Sequence, residues 1–152
     1  MPLSLGKPAS SGMIGRMADR AFPISPLTTK DLEIGDFWAV DLADGAFGVC
    51  QVTDLIRSGP GSRSSLVAGV LDWSGAALPT TALLRGRPVL AQGLVGIELF
   101  TESGATVLGN VDVTYQGSPL ASPFRDFAVG TVTQTWGWKV LPNRVAVTLG
   151  RA

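Results

Sequence analysis

Three carboxylates, Asp36, Asp41 and Asp44, fall within one short stretch of the chain. Two aspartates sharing a cleft can divide acid and base work in hydrolysis if their carboxyl groups lie about 5–9.5 Å apart. Cys50, the single cysteine, is the other candidate for chemistry. A reactive thiol needs a nearby positive group to lower its pKa, and no Lys or Arg lies near Cys50 in sequence. Its place in an alternating apolar run fits a buried strand cysteine instead. A lone cysteine forms no intramolecular disulfide, which suits a reducing compartment.

Absences narrow the chemistry further. The chain has no histidine, so no Ser-His-Asp or Cys-His arrangement can be assembled. One cysteine is too few for a zinc site. The acidic spacing does not fit a calcium-binding loop. Gly59-Pro60-Gly61 is followed by Ser and Arg, without the strand-to-helix context of a phosphate loop. Neither a catalytic residue, nor a metal, nor a cofactor is expected.

The aspartates are more simply explained by the elements that hold them. Phe37–Leu42 and Phe47–Ile56 are β-rich runs flanking Asp44-Gly45, which reads as a β-hairpin. Gly45 suits a positive φ, and Asp44 belongs to the turn. Asp36 follows Gly35 at the start of a strand, where an aspartate bonds nearby backbone N–H groups. Phe37 and Trp38 are adjacent, so they should face opposite sides of the sheet.

The rest of the chain has the same texture. Of 152 residues, 45% are hydrophobic and 16% charged, enough for one domain with a real core. Nineteen glycines and ten prolines punctuate short apolar runs, which favours an all-β domain. Residues 1–30 lack a sustained period and read as a flexible N-terminal arm. Residues 31–152 read as a single β domain. Further strands are expected at Leu66–Trp73, Leu94–Thr101, Thr106–Tyr115, Phe127–Trp138 and Arg144–Leu149, with a short helical turn at Pro79–Leu84. Seven to eight short strands point to a small barrel or compact sandwich. Arg57–Ser65 and Gly117–Pro123 read as loops.

Twelve basic and twelve acidic residues give a formal net charge of +0, so no global field steers the chain to nucleic acid or an anionic membrane. No apolar run is long enough to cross a bilayer, no secretory signal is recognised at the N-terminus, and the cytoplasm is the expected location. The four tryptophans are core residues or contact anchors. Trp136-Gly137-Trp138 would place two indoles on one face of an extended chain.

The hairpin residues Gly35-Asp36-Phe37-Trp38-Ala39-Val40-Asp41-Leu42, then Asp44-Gly45, then Phe47-Gly48-Val49-Cys50-Gln51-Val52, resemble the opening signature of the immunity protein 26 family. Leu71-Asp72-Trp73 and the Pro79–Leu84 segment before Pro88-Val89-Leu90 are also similar. The resemblance covers Glu33 to about Leu99. It implies a small, partly open SH3-like β-barrel in a bacterial protein without catalytic residues. Such a protein binds a cognate polymorphic toxin in the cytoplasm and neutralises it by occlusion.

The expected function is therefore non-enzymatic immunity. The candidate partner contacts are Asp41, Asp44, Arg57, Arg63, Trp136 and Trp138. Two alternatives stand beside it. One is a structural or assembly β-domain of a phage or secretion system, oligomerising through its arm or sheet edges. The other is a hydrolase built on Asp36, Asp41 and Asp44.

Overall fold

The computed structural model describes residues 20–125 and 134–151. Sheet dominates, with a few short helices. The strands are β1 (Asp36–Asp41), β2 (Phe47–Asp54), β3 (Ser65–Gly75), β4 (Val89–Gly96) and β5 (Gly109–Asn110). They form one open antiparallel sheet in the order β4-β3-β2-β1-β5. The helices are α1 (Thr81–Leu84), α2 (Glu98–Thr101) and α3 (Leu141–Thr148).

The hairpin forms as its residues dictate. Gly45 takes φ 87°, Asp44 Oδ1 accepts from Ala46 N–H at 3.0 Å, and Leu42 N–H donates to Ala46 O at 2.9 Å. Phe37 and Trp38 then fall on opposite faces. Trp38 joins a core with Val40, Cys50, Val52, Phe100, Leu141 and Val145. Its ring meets Phe100 edge-on, with centroids 5.1 Å apart. Phe37 joins a smaller core with Val49, Leu71, Leu84, Val89 and Val111. Because both faces are covered, β2 is buried at almost every position.

Several expected strands take other forms. The run Leu94–Thr101 ends its strand at Gly96, and Glu98–Thr101 is a helical turn whose adjacent Leu99 and Phe100 are both buried. Within Thr106–Tyr115 only Gly109–Asn110 is a strand, with single bridges at Val107 and Tyr115. Arg144–Leu149 lies in a helix and its C-cap, not a strand. Leu141 and Val145 stand four apart on one helical face and are buried, while Val147 is exposed. Pro142 sits in the first turn, where its missing N–H costs nothing. The expected strand Phe127–Trp138 lies largely outside the described residues, and Trp136 belongs to no strand.

The arm also needs correction where it is described. Residues 20–30 are docked, because Ile24 and Val107 exchange backbone hydrogen bonds of 2.9 and 2.8 Å. Arg20 grips the fully buried Asp36 with two bonds of 2.7 and 2.5 Å. Residues 1–19 lie outside the described residues.

A second tether closes the far side. Asp54 receives Arg125 at 2.7 Å on each oxygen, Ser122 Oγ at 2.6 Å and the Leu55 N–H at 2.8 Å. Burial works against this carboxylate, but Arg125, Ser122 and Leu55 outweigh it and hold its pKa below the usual value. A depressed pKa contributes stability above the unfolded value of about 4, and that contribution is lost as pH falls through the folded pKa. Asp54→Asn should therefore be less stable than wild type near neutrality. The gap in thermal midpoint should close as pH is lowered from about 5 to about 2, as read by circular dichroism.

Candidate partner-binding cleft

The six candidate contacts separate into distinct places. Asp41 and Trp138 come together in one cleft of about 420 Å³. Its β1 side is Trp38–Asp41. Leu99, Ser103–Ala105, Trp138, Lys139, Leu141 and Pro142 complete its lining. Lys139 Nζ stacks over the Trp138 ring, 5.4 Å from its centroid. The cleft thus carries an aromatic ring and a lysine beside the main chain of β1.

The cleft exists because β5 is short. Leu108 N–H still reaches Phe37 O at 2.9 Å. Val107 turns away to pair with Ile24, so nothing among the described residues continues the ladder beside Ala39 and Asp41. Leu42 N–H donates to Ala46 O across the hairpin, while Gly35 O and Phe37 O accept from the β5 side. By strand alternation the even-numbered residues of β1 bond to β2. Ala39 and Asp41 therefore turn their N–H and C=O groups toward the cleft, and neither group has a partner among the described residues.

The remaining candidates are otherwise engaged. Trp136 is buried, not exposed: it packs so closely over Gly93 that a Cβ there would sit 2.5 Å from the indole. Its Nε1 donates to Gln134 Oε1 at 3.0 Å. Of the two readings open for the pair, Trp136 is a core residue and only the half-buried Trp138 is placed to be a contact anchor. Asp44 faces solvent at the hairpin tip with Arg151, 2.6 Å away. The Ala46 N–H lowers its pKa most, desolvation opposes this, and Arg151 adds to the lowering.

Arg57 is a tether. Its guanidinium donates to Thr29 O at 2.9 Å and Leu32 O at 2.7 Å, joining the Arg57–Ser65 loop to the segment before β1. Arg63 is exposed in that loop, and its carbonyl accepts from Thr29 N–H at 3.2 Å. Arg57 therefore holds the fold as well as lying in the loop expected to meet a partner. Arg57→Ala should cost about 1 kcal/mol in urea unfolding, below the ~1.5–3 kcal/mol of a charged hydrogen bond because the side chain is half exposed. Arg63→Ala should cost less than about 0.5 kcal/mol. The Gly117–Pro123 loop is also tied, through Ser122 to Asp54 and Ala121 O to Gln92.

The three hairpin aspartates do not share a cleft. Asp36 and Asp41 stand at opposite ends of β1, roughly 16 Å apart along an extended chain and on opposite faces. Asp36 is buried with Arg20, Asn110 Nδ2 and Glu33 N–H as donors. Burial pushes the Cys50 thiol far above its ordinary pKa. Among the described residues no His, Cys, Asp or Glu cluster is placed to hold a metal, and no helix is long and apolar enough to cross a membrane.

Sequence reasoning named Asp41 and Trp138 but missed Ser103–Ala105, Lys139, Leu141 and Pro142. The last two begin the helix Leu141–Thr148, between the strands expected at Phe127–Trp138 and Arg144–Leu149. No family model, curated protein or solved structure matches the chain.

Proposed function

We propose that this chain is a non-enzymatic immunity protein that binds a cognate toxin in the bacterial cytoplasm and blocks it by occlusion. The partly open barrel of seven to eight short strands implied by the family resemblance is part of this reading. The carrying observation is that Asp41 and Trp138, two candidates chosen from sequence, line one cleft beside an unpaired stretch of β1. A concave site with an aromatic anchor beside unpaired main-chain groups suits protein recognition.

Co-expression with the protein encoded by the neighbouring gene tests the reading. Growth should be rescued by wild type and lost with Asp41→Ala/Trp138→Ala, while the variant's thermal midpoint stays within a few degrees. A neighbouring toxin that remains fully active beside the wild-type protein would overturn it.

The open edge of β1 also favours a second reading, an assembly domain that pairs edge to edge with its own copies. Sedimentation that shows only monomer at high concentration would remove that alternative.

A further inference from the structure

We infer that the cleft takes an extended segment of the partner polypeptide, which adds to the sheet as a strand beside Ala39 and Asp41. This rests on the partner-binding reading above and specifies the chemistry of its ligand. The argument begins with backbone valence. The N–H and C=O groups of Ala39 and Asp41 point away from β2 and are not engaged by β5. Groups of this spacing and alternation match the edge of another extended chain, which recognises a strand by its main chain.

The cleft then selects the side chain. Trp38 and Val40 line it from the larger core, together with Leu99, Trp138 and Leu141. Every second residue of an added strand would point to that side. One apolar residue therefore enters the cleft, and its neighbours along the strand face away.

The surroundings favour a single strand over a second copy of this chain. The free stretch is short: Leu108 N–H already takes Phe37 O before it, and the chain turns at Asp44-Gly45 after it. A lone extended segment of a few residues fills such a stretch, whereas a sheet edge of a second copy would engage only a small part of its length.

Selection from a displayed library of random nine-residue peptides on the intact protein tests the inference. The selected peptides should carry apolar residues at alternate positions, and affinity should fall about tenfold or more for Ala39→Pro. That change removes the outward N–H and sets a ring against the incoming strand, while β1's bonds to β2 use other residues. If Ala39→Pro does not fold, N-methylation of the best peptide is read on the wild-type protein. Methyl groups on alternate amides should abolish binding, and those on the intervening amides should leave it intact.

Recovery of no peptide, equal affinity for Ala39→Pro, methylation without alternation, or a dimer of this chain that Ala39→Pro disperses would each overturn the inference. A toxin neutralised equally well by Ala39→Pro would leave the immunity reading standing and remove strand addition. Peptides that bind as described, without rescue from any neighbouring toxin, would do the reverse.

Discussion

Replacing Asp36 with alanine should destabilise the protein by about 3–5 kcal/mol, the range for removing one partner of a buried charge pair. The carboxylate is fully buried and accepts from Arg20 Nη1 and Nη2, from Glu33 N–H and from Asn110 Nδ2. Alanine removes the anion that faces a nearly buried guanidinium and the acceptor of Glu33 N–H, while Asn110 Nδ2 keeps Ile34 O at 3.0 Å. The same carboxylate ties the docked 20–30 segment, the start of β1 and β5 into one cluster. Asp36→Asn should cost less, since its oxygen still accepts. The Arg20→Ala/Asp36→Ala double variant should lose less than the sum of its parts, because the groups act as a unit. Urea midpoints of the five proteins (wild type, Asp36→Ala, Asp36→Asn, Arg20→Ala and the double variant) give all of these comparisons. Equal stability of Asp36→Ala and wild type would refute the cluster.

The second large effect concerns α3. Val145→Asp should cost at least about 4 kcal/mol, because it puts a carboxylate without a partner into the larger core. Val145 is 0% exposed and packs over Gly48, where a Cβ would come within 2.6 Å of its Cγ1. Val147→Asp should change stability by less than about 0.5 kcal/mol, since Val147 is 52% exposed. A strand would place residues 145 and 147 on the same face and make the two substitutions alike. The difference between them therefore tests the helix itself by thermal unfolding, and similar losses would contradict it.

These two residues also mark what was legible in the chain. A strand period of two is strong at Phe37-Trp38, and their division between two cores follows from adjacency alone. Asp44-Gly45 carries its turn in its own backbone preferences. Asp36 was recognisable as an acceptor for nearby N–H groups, and Glu33 fills that role. Arg20 was not, because an ion pair across sixteen residues leaves no local pattern. Val145, Val147 and Leu149 alternate like a strand, while Leu141, Val145 and Leu149 repeat every four residues like a helix. Only packing against Gly48 separates the two.

The cleft was legible in its residues but not in its shape. Asp41 and Trp138 are far apart in sequence, and what joins them is the early departure of Val107 from β1 toward Ile24. Whether Trp136 is core or contact was not legible, because the glycine that admits it, Gly93, lies on β4. Arg57 looked like a free loop cation, yet the carbonyls of Thr29 and Leu32 claim it. In each case a partner distant in sequence decides the outcome.

The most direct test of the partner-binding account is residue-resolved amide hydrogen exchange on the free protein and on its complex with the neighbouring gene's product. In the free protein Ala39 and Asp41 should exchange much faster than Trp38 and Val40, which bond to β2. In the complex, protection should appear at Ala39, Asp41, Ser103–Ala105 and Lys139. Protection confined to the Arg57–Ser65 loop, with Ala39 and Asp41 still exchanging freely, would contradict the account.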